Sequence, residues 1–278
     1  MTMLSPRTLD DALAALADGP SRVLAGGTDV FAATGPRLAG PVVDLSRIPQ
    51  LATIESGPDG WRIGAGVTWS AMRRHPLPAA FDGLKAAAVE IGSVQIQNRA
   101  TLAGNLCNAS PAADGVPALL TLGASVEIAS ARGSRILPLC EFVLGPRRTA
   151  LAPGEIVGAI LVPPQPGGAV GAFSKLGARH YLVISIAMVA VVLAVENGAI
   201  TDARVAVGAC SPVAVRLGAL ERDLLGVPLE RAAGTVDRSH LAPLSPIDDV
   251  RASATYRLEA ARVLTARTLA TAAGRLAP

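Results

Sequence analysis

Aromatic residues and lysine are both scarce in this sequence. Only eight of the 278 residues are Phe, Tyr or Trp, Lys85 and Lys175 are the two lysines, and the arginines are scattered. A nucleic-acid surface needs clustered cations with aromatic side chains between them. The pattern therefore argues against a nucleic-acid partner, in spite of the net charge of +3.

Cysteine is scarce too, since Cys107, Cys140 and Cys210 lie far apart with no C-x-x-C spacing. Zinc sites and iron–sulfur clusters need closely spaced sets of thiolates, so we predict no metal ligands and no cluster bound by this chain alone. Unpaired thiols indicate a reducing compartment. The first 30 residues carry Asp10, Asp11 and Asp18 and no cleavable apolar core, so we expect no secretory signal and a cytoplasmic protein.

No apolar run has the length of a membrane span. The longest, Tyr181 to Val195, is short of the roughly 20 residues that such a helix needs. Its β-branched content favours a buried strand or a pair of buried elements. With 50% hydrophobic and 17% charged residues, the chain has the composition of a globular protein with a large core rather than of a disordered one.

Periodicity and turn signals predict an α+β protein. Helical spacing is found at 9–16, where Ser5 or Thr8 can cap the helix, and at 70–75, 83–91, 116–123 and from about 245 onwards. Strand patterns are found at 22–25, 41–45, 61–67, 125–129, 156–162, 172–176 and 203–209, and within the apolar run. These assignments rest on residue spacing and on flanking Gly, Pro and Asn residues.

A linker and a hairpin turn indicate the domain organisation. The linker is Pro163-Pro164-Gln165-Pro166-Gly167-Gly168, and Glu196-Asn197-Gly198 predicts a tight turn within an antiparallel meander. We therefore predict an N-terminal domain at 1–168, with sub-parts of about 1–57 and 58–168. A C-terminal domain at 169–278 would consist of a small antiparallel sheet with helices.

Two segments have the composition of ligand loops. In the first, an apolar run enters Gly26-Gly27-Thr28-Asp29, and glycines let backbone N–H groups approach a phosphate closely. Neither the Rossmann nor the P-loop pattern is present, and an ordinary structural turn is the common alternative. Asp29 would repel a phosphate, so a turn or helix cap is its expected role. In the second segment, 92–115, amides and hydroxyls stand among small apolar residues, which fits a structural polar loop or a ligand loop equally.

Three ordered motifs resemble the FAD-binding medium subunits of the molybdenum hydroxylases, the family of xanthine dehydrogenase and carbon monoxide dehydrogenase flavoprotein subunits. They are "LAGGTDV" (24–30), "QIQNRATLAGNLCNASPAADGVPALLTLGA" (95–124) and "FSKLG" (173–177), and the similarity continues through "ARVAVGACSP" (203–212) and "YRLEAARVLTARTLATA" (256–272). The resemblance implies a two-part N-terminal FAD-binding domain of the vanillyl-alcohol-oxidase/PCMH type, followed by a C-terminal flavoprotein domain.

The resemblance also implies which residues bind FAD, with no catalytic residue on this chain. The pyrophosphate loops correspond to Leu24, Ala25, Gly26, Gly27, Thr28 and Asp29, and to Thr101, Ala103, Gly104 and Asn105. Ala103 replaces the first glycine of the family's second loop. If that position requires a positive φ, alanine costs roughly 1 kcal/mol, which puts the phosphate contact at its amide in doubt.

Two further positions of the family pattern fall on Asp114 and Lys175. Asp114 could instead cap the helix that begins near Val116, and Lys175 could be a solvated lysine rather than a cation beside the flavin. Ile91 and Val157 match flavin contacts only loosely. The histidines lie outside the motifs, and we expect surface positions for all three, His75, His180 and His240.

The function that the resemblance implies is electron transfer. A large molybdopterin-binding subunit would hydroxylate the substrate, and electrons would pass through the [2Fe–2S] clusters of a small subunit to FAD on this chain and then to a final acceptor. Two heterotrimers would form a dimer. The alternatives are a flavin-free scaffold subunit, supported only by Ala103, and a stand-alone flavin oxidase, for which no substrate base is visible.

Overall fold

The computed structural model describes residues 2–34 and 38–277 as a mixture of helices and strands, as predicted. None of the helices in these residues is long and apolar enough to cross a membrane. The strands are β1 (Met3–Leu4), β2 (Arg22–Leu24), β3 (Val42–Asp44), β4 (Ile54–Gly57), β5 (Gly60–Gly64), β6 (Ser125–Ser130), β7 (Gly133–Pro138), β8 (Val143–Gly145), β9 (Arg148–Thr149), β10 (Ile156–Val162), β11 (Val170–Leu176), β12 (Ala187–Glu196), β13 (Ala199–Gly208) and β14 (Val215–Arg216). The helices are α1 (Leu9–Ala17), α2 (Thr28–Thr34), α3 (Trp69–Arg74), α4 (Asp82–Glu90), α5 (Val94–Gln97), α6 (Leu102–Asn108), α7 (Gly115–Thr121), α8 (Leu139–Phe142), α9 (Gly218–Leu224) and α10 (Ala254–Leu276).

Two compact units are each assembled from separate segments of the chain. Unit 1 consists of Met1–His75, Ser93–Asn108 and Ala124–Pro164, and unit 2 consists of Pro76–Gly92, Ala109–Gly123 and Gln165–Pro278. The division into sequence domains near residue 168 stays a prediction.

Unit 1 contains two main sheets. The first is parallel, with the strand order β1-β3-β2, and the second is antiparallel, with the order β4-β5-β10-β6-β7. Helix α1 connects β1 to β2 and buries Leu13 and Leu16. Of the two candidate caps, Thr8 is the one used, because its hydroxyl accepts a hydrogen bond of 3.1 Å from the Asp11 N–H. A short hairpin, β8–β9, lies between α8 and β10.

Unit 2 is built on the predicted antiparallel meander, with the order β11-β12-β13-β14. The turn between β12 and β13 places Asn197 and Gly198 at φ angles of 51° and 79°, the left-handed conformations that a two-residue hairpin needs. Alternate residues of β12, from Ala187 to Leu193, enter a core that also receives side chains from α9 and α10. The residues between them are buried as well, so that both faces of the strand are covered from Ala187 to Ala194, which explains why the sequence of β12 is almost continuously apolar.

Three predictions about elements were wrong in extent. The polar segment 92–115 is not one loop, because it contains α5 and α6. The first six residues of the long apolar run are not part of a strand, since β12 begins only at Ala187, and Tyr181 is 64% exposed. The last helix begins at Ala254 rather than near 245, after a turn closed by hydrogen bonds between Asp249 and Ala252.

Candidate functional site

The first candidate loop of unit 1 is a glycine turn between β2 and α2. Gly27 has a φ of 76°, which glycine adopts at no steric cost. A Cβ atom on Gly26 would lie 2.0 Å from the carbonyl oxygen of Arg99, closer than any non-bonded contact allows. Both glycines are therefore required, Gly27 by its backbone conformation and Gly26 by the close approach of another segment.

The second candidate loop leads into helix α6. The Thr101 hydroxyl accepts a hydrogen bond of 2.9 Å from the Gly104 N–H, as a residue that precedes a helix commonly does. The Leu102 N–H donates to the Val67 carbonyl at 3.1 Å. Thr101 and Ala103 are both buried, and these bonds fix the start of α6 against the segment that follows β5.

Ala103 carries no backbone strain. It lies within α6 and is not among the residues with a positive φ. The condition under which alanine would be costly at this position is therefore not met, and the expected penalty does not arise. An alanine in a helix is in fact more favourable than a glycine by roughly 1 kcal/mol.

The fold brings these two loops together within unit 1. The Gly26 turn packs against Arg99 and Ala100, directly before Thr101. The Asp29 carboxylate accepts a hydrogen bond of 2.9 Å from Asn108 Nδ2, so it bonds across to α6 instead of capping a turn or helix. Leu24 is buried beneath the first loop, and the N-termini of α2 and α6 follow the two loops directly.

The donor groups at the two loops fit a phosphate group. The first N–H groups of a helix have no intrahelical acceptor, and the helix dipole makes the N-terminus favourable for an anion. In α6 the N–H groups of Leu102 and Gly104 are already bonded to Val67 and Thr101. Among the described residues, Asn105 Oδ1 is a buried atom with no hydrogen-bond partner. Because the two ends of an amide can exchange places, Asn105 can present either an acceptor or a donor to a ligand.

Unit 2 holds the two remaining predicted residues as a buried ion pair. Lys175 Nζ lies 2.7 Å from Asp114 Oδ2, with side chains only 6% and 8% exposed. The Ser185 hydroxyl donates to Asp114 Oδ1 at 2.6 Å, and Lys175 also donates to the Glu90 carbonyl at 3.3 Å. Both alternatives considered for these residues are wrong, because Lys175 is not solvated and the Asp114 side chain makes no capping hydrogen bond to α7.

Burial dominates the electrostatics of this pair. It raises the pKa of Asp114 above its usual value, while the Lys175 ammonium and the hydroxyl of Ser185 oppose that rise. The two charges cancel, so Lys175 is not a free cation. Ser185 was missed on sequence, although a lone hydroxyl within the apolar run was the available signal.

The histidine predictions were correct only in part. His180 is exposed, and His75 is half-buried, packing edge-on against Trp61. The prediction of a surface position for His240 was wrong. It is buried, accepts a hydrogen bond from the Asp237 N–H through Nδ1 at 2.9 Å and contacts the Asp223 carboxylate. His240 thus serves a local capping box.

Comparison with known proteins identifies two matching sequence families. The FAD binding domain in molybdopterin dehydrogenase matches residues 1–165, and the CO dehydrogenase flavoprotein C-terminal domain matches residues 172–272. The putative xanthine dehydrogenase FAD-binding subunit of Escherichia coli K12 is 33% identical over 95% of this chain and 93% of its own length. The nicotine 6-hydroxylase medium subunit of Paenarthrobacter nicotinovorans is 33% identical over 98% of this chain and 96% of its own.

A solved structure shows the same fold. A chain of the reconstituted CO dehydrogenase from Oligotropha carboxidovorans superposes with a TM-score of 0.89 at 29% identity, covering 99% of this chain and 98% of that one. The matched families and the named relatives agree on FAD as the cofactor. The chain therefore belongs to the family of FAD-binding subunits of molybdenum hydroxylases of the xanthine and carbon monoxide dehydrogenase type.

Proposed function

We propose that this chain is the electron-transfer subunit of a cytoplasmic heterotrimeric molybdenum hydroxylase. A large subunit would carry the molybdenum cofactor and the substrate site, and a small subunit would carry the [2Fe–2S] clusters. Two such heterotrimers would pair. The relatives support this division of labour, because they are named as FAD-binding and medium subunits. The spacing of the three cysteines also supports it, since thiolates so far apart in sequence are unlike a cluster motif.

The observation that carries the proposal is the packing of the Gly26 turn against the segment that precedes Thr101. The N-termini of α2 and α6 lie there, and the side-chain amide of Asn105 has a buried oxygen with no hydrogen-bond partner. We propose that the N–H groups of Gly26, Gly27 and Thr28 bind one side of the FAD pyrophosphate. On the other side, Ala103 would bind through its N–H group and Asn105 through its side-chain amide, while Gly104, whose N–H is held by Thr101, would let the backbone come close to the phosphate. Leu24 and Ala25 would support the first loop from the strand end.

Thr101 and Asp29 would support the phosphate-binding loops without contacting the phosphate themselves. Thr101 holds the Gly104 N–H, so its role is to shape the second loop. Asp29 has its carboxylate engaged by Asn108, which keeps a negative charge away from the anion. When bound, FAD supplies the redox chemistry that amino-acid side chains lack; the chain binds and orients it.

Asp114 and Lys175 remain proposed FAD-binding residues on the strength of the family resemblance. Because their opposite charges neutralise each other, these two side chains would act on the cofactor through directed hydrogen bonds rather than through net charge. Lys175 is bonded to Asp114 and to the Glu90 carbonyl, which leaves one of its three N–H donors for a ligand.

The test is flavin content in the assembled complex. The chain is co-expressed with its large and small subunits, purified as a complex and examined for the visible absorbance of bound flavin, at one FAD per copy of this chain. A complex that assembles without flavin would overturn the proposal in favour of the scaffold alternative. Rapid-mixing oxidation of the reduced complex by NAD, oxygen, a quinone or a carrier protein then identifies the acceptor.

The variant Ala103→Gly further distinguishes an FAD-binding subunit from a flavin-free scaffold subunit. Ala103 was the only support for a flavin-free scaffold, and its helical backbone removes that support. We expect Ala103→Gly to leave the FAD dissociation constant unchanged and to lower the free energy of unfolding by roughly 0.5–1 kcal/mol. Flavin binding that appears only in the glycine variant would show that the natural chain has lost its cofactor.

A further inference from the structure

Three charged or polar side chains from separate segments of unit 1 meet beside the paired loops. Asp29 lies in the first turn of α2, Asn108 is the last residue of α6, and Arg147 lies in the turn of the β8–β9 hairpin. The Asn108 amide joins the other two, since its Nδ2 donates to the Asp29 carboxylate at 2.9 Å and its Oδ1 accepts from the Arg147 guanidinium.

The two charges determine the orientation of this amide. An anion on the Nδ2 side and a cation on the Oδ1 side make the reversed orientation unfavourable. Arg147 Nη1 also donates to the backbone carbonyl of Asn108 at 3.2 Å, where a cation complements the negative end of a helix dipole. The amide therefore has a single favourable orientation.

The β8–β9 hairpin is shaped so that Arg147 reaches α6. Arg147 has a φ of 59°, a left-handed conformation that costs a non-glycine residue energy. The neighbouring Arg148 stays within its own hairpin, donating to the Leu144 carbonyl at 3.3 Å. The same hairpin thus has one arginine that bonds to a distant segment and one that bonds within the hairpin.

We propose that Arg147 and Asp29 are positioning residues for FAD binding. Through Asn108 they connect the first turn of α2 to the end of α6, and so hold the Gly26–Thr28 turn and the Thr101–Asn105 loop at the spacing that one pyrophosphate needs. This inference rests on the proposed function of these loops. Its physical basis is preorganisation, since loops already held in the bound arrangement lose less entropy when the ligand binds.

The test exchanges the amide and the carboxylate. Asn108→Asp places two carboxylates against each other, whereas the double variant Asp29→Asn/Asn108→Asp keeps the net charge of the natural chain. In the double variant the new amide on α2 can donate to the new carboxylate on α6, which also accepts from Arg147. Asp29→Asn alone keeps an acceptor for Asn108 and completes the double-mutant cycle. Arg147→Ala removes the cation, and Arg148→Ala is the matched control.

The measurement is the FAD dissociation constant of each variant in the assembled complex, after removal of flavin and titration with FAD. Exposed charged contacts are worth little individually, so we expect increases of about two- to fivefold for Asn108→Asp and for Arg147→Ala, and none for Arg148→Ala. The double variant should return to within about twofold of the natural chain.

Two outcomes would overturn the inference. One is an unchanged dissociation constant in both Asn108→Asp and Arg147→Ala, even where the melting temperature of the flavin-free complex falls, since this would show a structural role alone. The other is a double variant that binds no better than Asn108→Asp. A natural complex that binds no FAD is a different result, because it would reject the proposed function itself.

Discussion

The buried pair of Lys175 and Asp114 makes a prediction about stability. Removing one partner of such a pair leaves a charge without compensation, at a cost of about 3–5 kcal/mol. We expect Lys175→Met to lower the free energy of unfolding by that amount in urea denaturation, and Lys175→Met/Asp114→Asn to recover part of it. Lys85→Met, which changes the other lysine, is the control. Equal stability of Lys175→Met and the natural chain would contradict the burial of the pair.

Asp249 makes a prediction about acid stability. The backbone N–H of Arg251, followed by the guanidinium groups of Arg257 and Arg251, holds its pKa well below the usual value. A pKa lowered by folding contributes stability above the unfolded value of about 3.9, and that stability is lost as the pH falls towards the folded pKa. We therefore expect Asp249→Asn to be less stable than the natural chain at pH ~7, with the difference shrinking below pH ~4.

Urea denaturation at the two pH values measures this change. Asp59→Asn, which alters an exposed aspartate in the turn between β4 and β5, is the control. A gap between the natural chain and Asp249→Asn that stays constant from neutral to acidic pH would contradict the assigned role of Asp249.

At the scale of elements, the contact between the β2–α2 turn and the segment before α6 can be tested with one methyl group. A Cβ at Gly26 would lie 2.0 Å from the Arg99 oxygen, whereas a Cβ at Gly57 meets nothing within 4 Å. We expect Gly26→Ala to separate the two loops, to lower stability by about 1–3 kcal/mol and to lose bound FAD. Gly57→Ala should retain both, as measured by flavin content and denaturation. Full flavin occupancy in Gly26→Ala would refute the proposal that these two loops bind the pyrophosphate of FAD.

The elements that could be predicted from the sequence are those with strong local signals. Helix α1 has helical spacing and a capping threonine, and the Asn197-Gly198 turn has the two residues that its conformation requires. The segment 92–115 was harder, because α5 and α6 are 4 and 7 residues long and tertiary contacts rather than propensity hold such short helices. Local patterns also gave no reason to predict that His240 is buried, since its hydrogen bond with the backbone of the capping residue forms only in the folded chain.

The candidate site shows the same limit at the scale of the whole molecule. Composition alone left Gly26-Gly27 as an ordinary turn or a phosphate loop, and it was the family resemblance that paired this turn with Thr101–Asn105. Neither the composition nor the family resemblance predicted that Asp29 bonds to Asn108 or that Ser185 bonds to Asp114. These partners are 79 and 71 residues apart in the chain, and no periodicity connects positions at such distances.

Stability of the full chain can report which part of FAD the glycine loops hold. A ligand at about 100 times its dissociation constant adds about 2.7 kcal/mol to the free energy of unfolding. FAD should therefore raise the melting temperature. ADP should also raise it, because it carries a pyrophosphate, whereas riboflavin, which has no phosphate, should raise it less than ADP does. Gly26→Ala should abolish the ADP effect, and Gly57→Ala should preserve it. If riboflavin stabilised the chain and ADP did not, the paired loops would not be the pyrophosphate site, and the role of Gly26 would be confined to packing against Arg99.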